Sequence, residues 1–310
     1  MSSLTLVIQR GPFKQTTYSR PWLLIKSITK GGCILITSIF TEPGLTIPKW
    51  LSKTSWLKFD EKHREIYEVA KKTPRAWTWV LKRSEFKNWK DWQATSGDEE
   101  PRRLLCSGIP GAGKTVLASI VVEHVRSTLQ ANGRCLFIYF DFNKNREGYA
   151  LRDLYSSLLT QLVQGRSSFT KEAHSAFQTW DTTHNSPSTA EYLKILIAEI
   201  RTLSSVYIVI DALDECLNSD DIRNSTRSGL LKALRSFPSN THILFTARQD
   251  SGIKREVQGH DHIDILATKD DLLEYLDNRV ADREDLKSTL SKQGSLEYIF
   301  RHIVERSKGM

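Results

Sequence analysis

The residues Gly108-Ile109-Pro110-Gly111-Ala112-Gly113-Lys114-Thr115 satisfy the pattern G-x-x-x-x-G-K-S/T in full. An apolar run, Leu104-Leu105-Cys106, leads into them and a helical pattern leads out, which is the context that gives such a match chemical meaning. Glycines at 108, 111 and 113 open backbone conformations closed to residues with a Cβ, so that successive N–H groups turn inward and form a cradle for phosphate oxygens. Lys114 adds a point charge. Thr115 opens the helix, whose positive end faces the same anion, and its hydroxyl is placed to ligate Mg2+.

A second constellation completes that chemistry. The buried-looking run Val206-Tyr207-Ile208-Val209-Ile210 ends in Asp211-Ala212-Leu213-Asp214-Glu215. An acid at the carboxyl end of a central parallel strand lies on the edge where ligands bind, so Asp211 is expected to hold the Mg2+ shell. Glu215 is placed to polarise an attacking water, with Asp214 as the other candidate. Three acids after a strand ordinarily form an exposed turn, and the phosphate loop upstream reverses that reading. Arg248, closing the run His242-Ile243-Leu244-Phe245-Thr246, can reach a terminal phosphate.

The elements that position these residues alternate between strands and helices. Strands are expected at 104–106, 135–140, 206–210, 242–246 and 263–265. Amphipathic helices are expected at 149–163 and 190–203, with the polar stretch 181–188 between them, and again at 269–280 and 296–304. After the loop, Leu117, Ile120, Val121, His124, Val125 and Leu129 fall near one helical face. The expected fold is α/β: a P-loop NTPase with a mainly parallel five-stranded sheet flanked by helices, preceded by a helical adaptor.

Three stretches divide the chain. Residues 1–55 read as a poorly ordered leader, 56–95 as the helical adaptor and 96–310 as the NTPase domain. The net charge of +8 is carried chiefly before Arg103, and no acid precedes Glu42. That is a composition shared with organelle transit peptides, set against a cytoplasmic expectation. Lys26 and Lys30 interrupt the apolar stretch 22–40, and each would cost about 2.5 to 3.5 kcal/mol at a bilayer centre, so no membrane span is expected. In the adaptor, Phe59, His63, Ile66, Tyr67 and Ala70 recur at helical steps. Trp77, Trp79, Phe86, Trp89 and Trp92 then alternate with Lys82, Arg83, Lys87 and Lys90. These read as aromatics clamping the adaptor onto the next domain with lysines turned outward, and nucleic acid is the lesser alternative. The four cysteines, Cys33, Cys106, Cys135 and Cys216, show neither zinc nor disulfide spacing and read as buried small hydrophobes.

With loop, acidic strand end and arginine in place, the sequence over about 59–310 resembles the NACHT group of STAND nucleotide-binding signalling proteins, in the form often labelled nephrocystin-like. Ala212 fits that group's small residue after the magnesium aspartate, where an AAA-type ATPase more often carries glutamate. Thr246-Ala247-Arg248 is similar to the group's sensor, which usually has serine in the middle. The resemblance implies an ATP- or GTP-driven, Mg2+-dependent switch with slow hydrolysis, self-association through the NTPase domain when the full receptor is present, and a link to non-self recognition or programmed cell death. It also implies that the chain stops where such proteins continue into a winged-helix arm and repeats. A non-hydrolysing scaffold and an AAA-type motor or loader acting on nucleic acid are the alternatives. The effectors stay open.

Overall fold

The computed structural model describes residues 26–29, 32–35, 46–55, 57–72, 78–93, 99–141, 149–216, 223–249 and 252–266, then single positions between 273 and 288 and a helix over 296–307. The first elements are a short antiparallel hairpin, β1 (Lys26–Thr29) and β2 (Gly32–Leu35), a pairing the sequence reading did not anticipate.

The sheet that carries the site is built from β3 (Arg102–Gly108), β4 (Gly133–Tyr139), β5 (Ser205–Asp211), β6 (Thr241–Ala247) and β7 (Asp261–Ile265). Its order is β4-β5-β6-β3-β7, with every neighbouring pair parallel. The expected five-stranded α/β P-loop NTPase fold is therefore present. Strands β3, β5 and β6 lie inside the sheet and are buried on both faces, which explains why they read as continuous apolar runs. Because β3 is flanked by β6 and β7, the chain order reverses there, and the crevice at the carboxyl ends opens at that point.

Helix α5 (Lys114–Thr128) follows the loop, and its buried face is wider than the expected stripe. Ala118, Ser119 and Val122 are buried with Leu117, Val121 and Val125, whereas Ile120, His124 and Leu129 are only half-buried. The cause is a second layer packed on the helix, described below. Between β4 and β5 run α6 (Leu151–Val163), α7 (Lys171–Thr183) and α8 (Thr189–Arg201). Helix α7 was not foreseen, and it takes up the first part of the stretch expected to be a polar connection. Its apolar residues, Ala173, Ala176, Phe177 and Trp180, do recur at helical spacing but on a mostly polar segment, capped by Thr170. Helix α8 begins with a capping box in which Ser188 accepts from the Glu191 N–H and the Glu191 carboxylate accepts from the Ser188 N–H. A buried ion pair ties the bundle together. Glu199, without solvent contact, accepts from Arg166 at 2.7 Å and from the Thr170 N–H and hydroxyl. Removing either charge would leave the other buried and unpaired, at a cost of about 3 to 5 kcal/mol.

Among the described residues four helices precede the sheet: α1 (Ile47–Thr54), α2 (Asp60–Ala70), α3 (Thr78–Lys82) and α4 (Ser84–Lys90). Helix α1 packs on α6 and α7 with Trp50 and Leu51 fully buried, and Trp50 meets Phe177 and Trp180. The boundary expected at residue 55 thus falls after a helix that already belongs to the packed body. Helix α2 lies on α5. Its buried His63 receives the Tyr139 hydroxyl proton at Nδ1 and donates from Nε2 to Glu123 of α5, both at 2.8 Å. Helix α4 packs on β3 and β7. Its Trp89 donates to the Ile243 carbonyl at 3.1 Å, His242 donates back to the Trp89 carbonyl at 2.7 Å, and Tyr207 donates to the Lys90 carbonyl at 2.8 Å. The clamp expected of these aromatics is what Phe86 and Trp89 form, while Lys82, Arg83 and Lys87 stay exposed. Trp77 lies outside the described residues, as does most of the helix expected at 269–280. Further helices among the described residues are α9 (Arg223–Arg235), α10 (Ile253–Glu256) and α11 (Leu296–Ser307), the last covering the helix expected at 296–304.

Candidate nucleotide site

Strand β3 delivers Gly108 to the carboxyl edge, where the backbones crowd: a Cβ on Gly108 would stand 2.7 Å from the Ile265 carbonyl oxygen of β7. Only glycine fits there. Gly111 and Gly113 have φ of 80° and 76°, the left-handed region that other residues enter at a cost, and Gly113 forms the N-cap of α5. No atom lies within 4 Å of a Cβ built on Gly111, so that glycine serves the backbone turn and not a close contact. Between them Ile109 and Pro110 span the turn, closed by the Ala112 N–H on the Ile109 carbonyl at 3.2 Å. Lys114 folds back over the loop, donating to the carbonyls of Gly108 and Ile109 at 2.9 and 2.8 Å. Burial holds its ammonium below the usual lysine range, opposed by the charges of Asp214, Asp211 and Glu215 and assisted by Arg248. One ammonium thus senses four of the other expected site residues.

Across from the loop, Asp211 ends β5 with 1% of its surface exposed. Burial raises its carboxyl above the ordinary range, and hydrogen bonds from the Thr246 and Thr115 hydroxyls counter that effect. Thr246 donates to the Asp211 carboxylate at 2.6 Å and accepts from the Ala212 N–H at 2.9 Å. The chain turns sharply beyond it. Ala212 sits at φ 54°, after which Leu213–Glu215 form one tight 3-10 turn. That turn aims Asp214 and Glu215 at Arg248, whose guanidinium reaches Asp214 at 3.3 Å and Glu215 at 3.2 Å while its N–H meets the Asp214 carboxylate at 3.2 Å. Lys114, Thr115, Asp211, Asp214, Glu215 and Arg248 therefore converge on one end of the sheet.

The family model for nephrocystin 3, N-terminal, matches residues 76–248 of the 310, more than half of the chain. The chain belongs to the nephrocystin 3 N-terminal family. No curated protein matches it. Among solved structures it is similar to the Aeropyrum pernix ORC1 protein in complex with DNA, at 13% identity over 66% of this chain and 48% of that one, with a TM-score of 0.42. It is also similar to the Walker-type ATPase paby2304 of Pyrococcus abyssi, at 13% identity over 80% and 62%, with a TM-score of 0.42. For Cdc6p of Pyrobaculum aerophilum the values are 20%, 57%, 42% and 0.34. The chain spans about half the length of the first of these and less than two thirds of the others.

The nephrocystin 3 N-terminal match takes in the loop, the Asp211 edge and Arg248, and it stops before β7. The residues present fit a magnesium-bound triphosphate. Asp211 and Thr115 supply hard oxygen donors that already touch, and the Lys114 contacts are to loop carbonyls that a phosphate oxygen can replace. Among the described residues there is no group of three or more His, Cys, Asp or Glu that could hold a metal ion. Three further polar residues stand at this edge that were not among the expected site residues. Thr246 was quoted within a motif without a role, although a polar residue inside the apolar run of β6 was the signal. Asp141 follows Tyr139-Phe140 as Asp211 follows Val209-Ile210, an apolar strand ending in an acid. Lys62 had no signal, because only the packing of α2 brings it near.

Proposed function

We propose that this chain is a nucleotide-binding switch of the NACHT type, which binds ATP or GTP with Mg2+ and hydrolyses it slowly. The observation that carries the reading is the convergence of Lys114, Thr115, Asp211, Glu215 and Arg248 on one edge of a P-loop sheet. The loop N–H groups and Lys114 bind the phosphates, Thr115 and Asp211 hold the ion, and Glu215 orients the attacking water, with Asp214 as its alternate. Bound Mg2+ supplies charge neutralisation on the phosphate oxygens. Arg248, held now by both acids, is released toward the terminal phosphate when that group competes for it.

The residue at position 212 favours the NACHT reading over an AAA-type one. Ala212, at φ 54°, is the small residue that the NACHT group carries directly after the magnesium aspartate, where an AAA-type ATPase more often has glutamate. The motor or loader reading on nucleic acid loses part of its base-stacking platform, since Phe86 and Trp89 are spent inside the protein. Self-association, a cytoplasmic location and a role in non-self recognition or cell death belong to the same proposal. Among the described residues no helix is long and apolar enough to cross a membrane.

Calorimetric titration with ATP and GTP, with and without Mg2+, tests binding. Glu215→Gln is expected to keep Mg2+-dependent binding and to slow single-turnover hydrolysis, and a wild-type rate would transfer the role to Asp214. Light scattering with diphosphate and with a non-hydrolysable triphosphate reads whether nucleotide identity and assembly are coupled within these residues. Turnover stimulated by nucleic acid in a salt-sensitive manner would favour the loader instead.

A further inference from the structure

One charged side chain reaches the carboxyl edge of the sheet from far away in sequence. Lys62, near the start of α2, donates to the Phe140 carbonyl at 3.1 Å and pairs with Asp141 at 3.3 Å, just past the end of β4. The Phe140 N–H is bonded to the Asp211 carbonyl at 3.2 Å, and Tyr139 lies opposite Asp211 in the register of β4 and β5. The Lys62 charge acts on the Asp211 carboxylate. Tyr149, hydrogen-bonded to the Asp141 backbone, lies in the fields of both Asp141 and Glu215. Asp141 therefore stands on the same rim as Asp211 and Glu215, one strand further out.

We propose that Asp141 is a further residue of the nucleotide site, serving the hydration shell of bound Mg2+, and that Lys62 is its positioning residue. The inference rests on the nucleotide reading above. Magnesium keeps several of its waters, so carboxylates near a site act on it through them, and such outer partners commonly set affinity by about 10- to 100-fold. Asp211 is the buried acid of the rim, whereas Asp141 and Lys62 are about a third exposed, where a held carboxylate can still turn toward water. Lys62 grips both the Phe140 carbonyl and the Asp141 carboxylate, which fixes the strand end as well as the acid. The docking of α2 has a second attachment. His63, the next residue, carries that attachment through Tyr139 and Glu123.

The test is a Mg2+ titration of the binding of a fluorescent non-hydrolysable triphosphate to the full chain, with thermal unfolding alongside. Asp141→Asn is expected to raise the Mg2+ midpoint about tenfold and to leave magnesium-free binding within about twofold. Lys62→Ala should raise it by a smaller factor, Lys62→Arg should restore it, and the double variant should be no worse than Asp141→Asn alone. His63→Ala should lower the melting temperature without moving the midpoint. A wild-type midpoint in Asp141→Asn overturns the proposal, as does a double variant whose effects multiply, or an effect of His63→Ala equal to that of Lys62→Ala. Wild-type chain that binds no triphosphate overturns the nucleotide reading itself, an outcome distinct from all of these.

Discussion

In the phosphate loop, Gly111 and Gly113 hold positive φ, Gly111 in open space, and Lys114 donates to the carbonyls of Gly108 and Ile109. At the end of β5, the buried Asp211 accepts hydrogen bonds from the Thr246 and Thr115 hydroxyls, and the buried Thr246 in turn accepts from the Ala212 N–H. The loop makes contacts that a phosphate oxygen can replace one for one, so its energy is available to a ligand. The β5 edge makes contacts whose loss strands a desolvated group, so its energy is committed to the fold. Substitutions in the loop should therefore change binding before stability, whereas loss of the Thr246 contacts behind Asp211 should change stability before binding.

The largest expected effect tests the first half. Lys114→Ala removes hydrogen bonds to a charged ligand, worth about 1.5 to 3 kcal/mol, so triphosphate affinity should fall about ten- to a hundredfold while the melting temperature stays put. Calorimetry beside thermal unfolding would expose a contrary order. Thr246→Val tests the second half, since it leaves the Ala212 N–H and one Asp211 oxygen without their partner. Denaturant unfolding should show a loss of about 1 to 3 kcal/mol even without nucleotide. Arg248→Ala sharpens the contrast from a third position. Its guanidinium is 50% exposed and pairs across solvent, so stability should move by less than about 1 kcal/mol, while single-turnover hydrolysis slows.

The smallest effect is a pH dependence set outside both regions. Burial lowers His63 and His242 below the ordinary 6.5. For such groups the unfolded chain binds protons first as pH falls, so their contribution is present above pH 6.5 and is lost on acidification toward the folded value. The melting temperature should drop between pH 7.5 and 5.5, and His242→Gln should flatten that slope; an unchanged slope would remove His242 from the account.

Much of this was legible from residue types alone. The loop is a local motif, and the strands around it are apolar runs because parallel strands are covered on both faces, so Gly108 to Thr115, Asp211 and Arg248 were found without a structure. What stayed hidden depends on packing between distant segments. Helix α1 buries Trp50 in a stretch whose composition reads as a leader, and α7 presents its apolar residues on a mostly polar helix. Lys62 joins the rim only because α2 docks on α5, a contact that no spacing in the sequence encodes.

The crowding of Gly108 against Ile265 bears on how far the chain can be shortened. The nephrocystin 3 N-terminal match ends at residue 248, yet β7 pairs with β3 from Leu104 to Gly108. A fragment cut at 248 would leave β3 as a bare sheet edge, its N–H and C=O groups open to a second molecule, and edges of that kind template aggregation. The first glycine of the loop would also lose the wall beside it. A fragment of residues 76–248 is expected to come out of refolding as aggregate, whereas one of residues 46–266 keeps β3 paired on both sides, so the shortest workable piece is set by hydrogen-bonded neighbours and not by the limits of family likeness.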